Sequence, residues 1–342
     1  MKLQKNDVLV CRTNGNPKYV GKAALVPKDY DYAFASYLFR IRPNTEIINS
    51  ATLVSFMNSK YGRLEIEKFS MVGNQANFSP AKFRQIAIPV FSKEFNDKIE
   101  LDVYKAFDLS EKSKALYAQA EDTLLCALGL KGWQPKNEAV SIKTFSDFAS
   151  SGRLDAEYYQ SKYDELFEKL SKFDCKMLGD IVSIKKSVEP GSESYIDSGI
   201  PFIRVSDVSK FGIAETDLHL SAKEFNLEVL RPHKDTILFS KDGSIGIAYK
   251  CEHDLDIITS GALLHLDVKD SVLPDYLTLV LNSVVVQLQA ERDSNGAIIQ
   301  HWKPDDIKRV IIPILPQDTQ KQIAELIRRS FALRQESRRL LQ

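Results

Sequence analysis

The run Gly15-Asn16-Pro17-Lys18-Tyr19-Val20-Gly21-Lys22-Ala23 has the outline of a loop that cradles phosphate, with two glycines bracketing a polar stretch and a lysine after the second. Nucleotide hydrolysis needs four residues between those glycines and a Ser or Thr beyond the lysine to reach magnesium. Here five residues intervene and Ala23 stands in the hydroxyl's place, so the run reads as a tight turn between strands. Asp267-Val268-Lys269 and Asp306-Ile307-Lys308 could supply the lysine end of a metal-dependent nuclease site, but patterns this short recur by chance. His219, His233, His253, His265 and His301 show no HxxxH or HxH spacing, and Cys11, Cys126, Cys175 and Cys251 form no CxxC pair. Neither a zinc site nor a disulfide framework is signalled, and no Ser/His/Asp set can be assembled. No catalysis, metal or cofactor is expected.

The polar residues suit contact with a charged, hydrogen-bonding surface instead. One loop carries Arg12, Thr13, Asn14, Asn16, Lys18 and Lys22, and a second carries Ser240, Lys241, Asp242 and Ser244. Arg and Lys pair with guanine edges and phosphates, Asn with adenine, hydroxyls with either. Ordinary turns would have a similar composition. A further pair of loops, Gly73 to Phe78 and Gly296 to Trp302, adds Gln75 and Asn77 on one side and Gln300, His301 and Trp302 on the other. There the competing reading is that Phe78 and Trp302 pack beneath the turns. Residues 1–93 hold fourteen Lys/Arg against six Asp/Glu inside a chain of zero net charge, so that segment would attract phosphate.

These loops recur because the chain is duplicated. Asp7-Val8-Leu9-Val10 is answered by Asp235-Thr236-Ile237-Leu238, Thr52 to Ser59 by Tyr276 to Ser283, Ser79 to Ile86 by Lys303 to Val310, and Pro89 by Pro313. The period is far longer than that of a solenoid repeat, so domains are duplicated. With 342 residues and 44% hydrophobic content, two sizeable cores can form. The longest apolar runs are too short to span a bilayer and no signal peptide precedes Leu9, so a cytoplasmic location is expected.

In the first copy, strands are predicted at Val8 to Cys11, Tyr37 to Ile41 and Ile86 to Val90, with a helix from Ser50 to Tyr61. The second copy offers strands at Ile181 to Ile184, Phe202 to Val205, Thr236 to Phe239 and Ile247 to Tyr249, after a helical stretch from Asp155 to Phe173. From Glu94 to Leu128 there is no Pro or Gly, and Ile99, Val103, Ala106, Ser110, Ser113, Tyr117, Ala120, Leu124 and Ala127 alternate at spacings of four and three. That is a coiled-coil seam about 50 Å long. Ile323, Ile327, Ser330, Arg334, Ser337 and Leu341 occupy the corresponding positions in the second copy, and the approximate two-fold relation predicts antiparallel pairing. Two amphipathic helices, each lying on its own domain, are the alternative.

Asn16-Pro17-Lys18-Tyr19 resembles the Asn-Pro-Pro-Tyr/Phe loop of amino-methyltransferases, but the third position is Lys and no Gly-rich adenosylmethionine motif follows a strand. A wider resemblance covers nearly the whole chain. Asn6 to Val10 through Gly21 to Ala24, Ile88-Pro89 before a long helix, Ala120 to Leu125 with Leu128-Gly129-Leu130, Arg153-Leu154-Asp155-Ala156-Glu157-Tyr158-Tyr159, and Ile200 to Asp207 together resemble the specificity subunit of type I restriction-modification systems. The resemblance implies an α+β chain with two target-recognition lobes joined by long helices in an antiparallel coiled coil. It implies a non-catalytic subunit in which each lobe reads one half of a split site in double-stranded DNA and the helices set the gap. It also implies docking of modification subunits that methylate adenine and, through them, of restriction subunits, and it adds Arg204 and Ser206 to the candidate DNA contacts.

The implied divisions are a first recognition lobe at 1–93, a helix at 94–130, a connector with a further helix at 131–175, a second lobe at 176–316 and a short second helix at 317–342. The stretch from Lys143 to Arg231 precedes Asp235, yet only six residues precede Asp7, and the last helix stops without an Ala-Glu-x-x-Leu-Leu tail. The first lobe is therefore expected to be partial, and the chain to self-associate or recruit a chain that supplies the missing segment. The rival readings are an enzyme fusing recognition to cleavage or methylation, and a coiled-coil assembly protein without DNA binding.

If the first long helix is a ruler, deleting Phe107 to Ser113 removes one heptad and keeps the apolar seam in register. The spacer loses about 10.5 Å. DNA rises roughly 34 to 36 Å per 10 to 10.5 base pairs, so the unread gap should shorten by roughly three base pairs while the bases read stay the same. Methylation mapping with the modification subunit measures this, and an unchanged gap with intact folding would dismiss the ruler.

Overall fold

A computed structural model of the chain describes residues 2–69, 76–136, 138, 140–225, 231–269, 272–294 and 300–342. The chain forms two compact units, Met1–Ser113 with Ala332–Gln342, and Lys114–Phe331. No helix among the described residues is long and apolar enough to cross a membrane.

In the first unit, strand Val8–Cys11 lies between Ala23–Leu25 and Leu38–Ile41, antiparallel to both. Alternation places Val8 and Val10 on the buried face, where they meet Leu53 and Met57 of helix Ser50–Asn58, Ile66 of helix Lys60–Phe69, and Phe78. The single helix predicted from Ser50 to Tyr61 is thus two. Ser59 is extended and ends the first, its hydroxyl bonded to the Phe56 carbonyl at 2.7 Å. The predicted strand from Ile86 to Val90 does not form among the described residues.

In the second unit the sheet has four antiparallel strands in the order Ala248–Lys250, Ile237–Ser240, Leu263–Val268, Val182–Lys186. Ile181 belongs to a helical turn, Leu178–Ile181, that runs into the last of these strands. A smaller sheet joins Ile200–Ile203 to His219–Leu220 and, in parallel, to Ile258–Thr259. The helical stretch resolves into a 3₁₀ turn, Ala156–Tyr159, and helix Ser161–Leu170. Here Ile311–Pro313 is a strand, because Cys175–Met177 pairs with it.

The duplication holds in three dimensions, with one correction to the register read from the sequence. The left-handed residue that opens each central strand is Asn6 (φ 69°) in one unit and Asp235 (φ 67°) in the other. The N–H of Asn6 donates to Val26 and that of Asp235 to Cys251, both across the same edge. Asp7 therefore corresponds to Thr236, not to Asp235, and every strand position moves by one, which exchanges the two faces. The charges follow. Asp7 is buried and bonded by Arg42 Nε at 2.6 Å, whereas Thr236 donates to Asp267, the residue in Arg42's place, at 2.7 Å. Burial pushes the Asp7 carboxyl up, but the bonds from Arg42 and the Gln4 N–H and the nearby Arg40 outweigh it and hold the group below its ordinary value.

A side-chain amide ties sheet to helix in both units. Asn58 Oδ1 accepts the Ala23 N–H at 3.0 Å and its Nδ2 donates to the Ala23 carbonyl at 2.8 Å. Asn282, at the end of helix Pro274–Asn282, makes the same pair with Ala248 at 3.1 and 2.8 Å. Each amide takes the place of a missing neighbouring strand.

The long helices run Lys93–Ala127 and Gln317–Leu341, and both are divided between the units. Gly129 (φ 64°) ends the first. Within the first unit, Ser337 Oγ donates to the Ala106 carbonyl at 2.7 Å, while Val103 and Phe107 line a groove with Leu340 and Leu341. One helix ascends as the other descends, so the pair is antiparallel. Within the second unit Tyr117, Ala120 and Leu124 share a core with Ile323 and Ile327. Ala127 is exposed and Leu128 takes its place inside, a shift of one position at the end of the seam. The second helix is also pinned by charge. Arg328 Nε bonds Asp275 at 2.8 Å, and Asp275 faces the buried Lys250 ammonium at 3.2 Å, which also meets Glu252 and Asp235.

Replacing Asn282 by Ala strands the buried N–H and C=O of Ala248, and should cost about 2 to 4 kcal/mol in denaturant unfolding. A loss under about 0.5 kcal/mol would mean that water replaces the amide. A second outcome concerns acid. Burial pushes the His265 imidazole down to about 4, with Nε2 on the Thr259 hydroxyl at 2.8 Å. The unfolded chain binds this proton first, so stability should fall as pH drops from about 6.5 towards 4. His265→Gln should flatten that slope in pH-dependent melting.

Candidate nucleic-acid interface

Each candidate loop leaves its central strand through the same frame. The N–H of Gly21 donates to the Cys11 carbonyl at 2.8 Å, and that of Gly246 to the Ser240 carbonyl at 2.9 Å. Both glycines are left-handed, at φ 77° and 78°, and a Cβ would stand 2.4 Å from Ile66 in the first unit and 2.7 Å from Gln287 in the second. One step on, the Phe78 N–H donates to the Arg12 carbonyl and the Trp302 N–H to the Lys241 carbonyl, both at 2.8 Å. Arg12 thus corresponds to Lys241 and Phe78 to Trp302. Thr13 lies opposite Asn77 and Asp242 opposite His301, so the two matched loops of each unit lie side by side. Gln75 and residues 295–299 are outside the described residues.

Within that frame the candidates fall into two sets. In the first unit Arg12, Asn16, Lys18 and Lys22 are exposed, and Thr13, Asn14 and Asn77 are half-buried. Asn14 Oδ1 accepts the Asn16 N–H at 2.8 Å and Asn16 Oδ1 the Lys18 N–H at 3.0 Å, which closes the turn Pro17–Tyr19. Lys22 Nζ lies 4.6 Å above the Tyr19 ring. In the second unit Ser244, Gln300 and His301 are exposed. Ser240 is fully buried, its Oγ donating to the Ser244 carbonyl at 2.6 Å and accepting the Ile247 N–H at 2.8 Å. Lys241 is 9% exposed and ion-paired to Asp242, whose other oxygen meets His301 Nδ1 at 2.8 Å. Phe78 and Trp302 are both sealed under the turns, Trp302 against Phe239 at 5.7 Å between ring centres.

Arg204 and Ser206 belong to a different turn, Val205–Asp207. There Asp207 accepts the Arg204 N–H at 2.9 Å and the Ser206 hydroxyl at 3.0 Å, and both side chains are exposed. Sequence reasoning quoted Arg153 and Tyr158 without seeing their role. The Tyr158 ring is flanked by the guanidinium groups of Arg153 and Arg292, each 4.9 Å from its centre, and the cleft they share also includes Lys303 and Arg309. Arg153 is bonded to Asp155 through two nitrogens at 2.6 and 2.5 Å and holds that carboxyl below its usual range. Spacing carries no signal for this stack, because Arg292 comes from a distant helix.

Both units are α+β, their long helices pair antiparallel within each unit, and the polar loops repeat. Residues 171–338 match the Type I restriction modification DNA specificity domain, so this part of the chain belongs to that domain family. Among known relatives it is similar to the Type I restriction enzyme EcoKI specificity subunit of Escherichia coli (strain K12), 21% identical over 97% of this chain and 69% of that one. Among solved structures it is similar to the HsdS subunit from Thermoanaerobacter tengcongensis (17% identity, TM-score 0.37, covering 99% of this chain and 78% of that one). The S subunit of a type I system from M. genitalium is also similar (13% identity, TM-score 0.43, 98% and 79%).

Proposed function

We propose that this chain is a non-catalytic subunit that reads DNA sequence with one loop pair in each unit, and that it presents the bound DNA to adenine-methylating modification subunits and, through them, to restriction subunits. The observation that carries this reading is the repeated frame. Two units place Arg12 and Lys241, Thr13 and Asp242, Asn77 and His301 at equivalent positions on equivalent turns. Duplicated readers suit a target in two parts better than a single reactive centre. In the second unit the exposed Ser244, Gln300 and His301 would read base edges, with Lys241 and Asp242 setting the posture of His301. In the first unit Arg12, Asn16, Lys18 and Lys22 face outward and would hold phosphates or guanine edges. The proposed divisions are reading lobes at 1–93 and 176–316, with the long helices as the spacer between half-sites.

Binding of a duplex that contains the methylated site should weaken steeply with salt. A coiled-coil assembly protein would show no such binding. Ser244→Ala and His301→Ala should each weaken specific binding by about 1 to 3 kcal/mol per lost base contact and change binding of random DNA less. Ser240→Ala should instead lower folding stability by about 1 to 2 kcal/mol and leave the affinity of the folded protein unchanged. Equal losses on specific and random DNA for Ser244 and His301 would reduce them to phosphate contacts.

A further inference from the structure

The two units are similar enough to show what one of them leaves uncovered. In the second unit a continuous segment, residues 159–186, covers two surfaces. Helix Ser161–Leu170 packs on helix Val284–Asp293, and strand Cys175–Met177 then pairs with Ile311–Pro313. The segment continues through Leu178–Ile181 into Val182–Lys186, which closes the outer edge of Leu263–Val268. Val285, Leu288 and Leu315 are 0, 7 and 5% exposed.

The first unit repeats both surfaces, and no described residue fills them. By the correspondence set by Asn58 with Asn282 and Phe78 with Trp302, Tyr61 stands for Val285, Leu64 for Leu288 and Ala87 for Ile311. Tyr61 is 74% exposed and Leu64 49%, and they line an apolar groove of about 730 Å³ with Phe56, Ala87, Pro89 and Phe91. Ala87 to Pro89 has no β-partner among the described residues, which is why the predicted strand does not appear. Strand Leu38–Ile41, the counterpart of Leu263–Leu266, pairs only with Val8–Cys11 among the described residues. Its residues are half-buried where the second unit's are fully buried.

We infer that this groove and this sheet edge form one docking surface for a separate polypeptide segment with the pattern of residues 159–186, an amphipathic helix, a short strand, a turn and an edge strand. A groove alone would accept many apolar ligands. A groove and an open strand edge, whose counterparts in the second unit are covered by one segment, together select a chain that can satisfy both apolar side chains and backbone donors. A second copy of this chain is not the occupant, because its own segment already lies in its second unit.

The probe is a fluorescent synthetic peptide of residues 158–187, titrated into the full-length chain. The second unit holds its own copy of the segment at high effective concentration, so the peptide reports on the first unit. Saturable one-to-one binding is expected, with hydrogen-exchange protection gained at 86–90 and 38–41. Leu64→Glu, at a half-exposed position that tolerates charge in the free chain, should weaken binding by roughly tenfold or more. Val90→Pro, at an exposed residue whose counterpart Ile314 donates its N–H to the Asp174 carbonyl at 2.7 Å, removes that donor and should also weaken it. Failure of the peptide to bind, or binding that both variants leave unchanged, overturns the assignment. Dimerisation of the chain that Leu64→Glu abolishes would hand the groove to a second copy and overturn it equally.

Discussion

An asparagine amide replaces a strand in each half of this molecule, and the candidate loops depend on it. Asn58 and Asn282 each occupy the N–H and C=O of one residue on the strand that follows the loop, Ala23 or Ala248. The strand before the loop is held on its other side by the sheet. The loop's two ends are thereby fixed to about the accuracy of a hydrogen bond, and its tip is free to vary. The left-handed glycines at 21 and 246 complete the arrangement by turning the chain where a side chain would strike the neighbouring helix. Recognition of a base edge needs donors and acceptors placed within a few tenths of an ångström, and a loop closed in this way can supply that without a large lobe beneath it.

The frame also explains which candidates became structural. A hydroxyl at the last strand position, Ser240, lies under the turn and is used up by backbone groups, whereas Ser244 stands beyond the turn and remains free to face a ligand. Lys241 shares its carboxylate partner with His301, so charge in the second loop is internally balanced. The first loop keeps Arg12, Asn16 and Lys22 outward, in line with the basic excess of residues 1–93. One loop is dominated by cation chemistry and the other by neutral hydrogen bonding with an oriented imidazole.

Much of this was legible in the sequence. The match between Thr52 to Ser59 and Tyr276 to Ser283 survives because both end in the Asn-Ser pair that makes the clamp and the helix stop. The long helices were legible because seam spacing and the lack of Gly and Pro are local signals. The central strand was misread by one residue because Asp7 and Asp235 are identical in type, while the backbone equates Asn6 with Asp235 through a positive φ that either Asn or Asp can adopt. The strand at Ile86 to Val90 was expected from its composition alone, and composition cannot supply a partner. The stack of Arg153, Tyr158 and Arg292 joins residues far apart in sequence, where spacing carries no information.

The exchange of charge between the two units bears on how such a protein can be rearranged by recombination. Arg42 and Asp7 in one sheet stand where Asp267 and Thr236 stand in the other. A crossover falling inside a sheet, joining the first strand of one unit to the third strand of the other, would set the buried Asp7 against the half-buried Asp267, carboxylate against carboxylate. The reciprocal product would leave Arg42 beside a threonine, with no anion to meet it. A crossover within the helix Lys93–Ala127 disturbs neither sheet. Selection for folding would then disfavour breakpoints inside a sheet, so new combinations would arise by trading whole units.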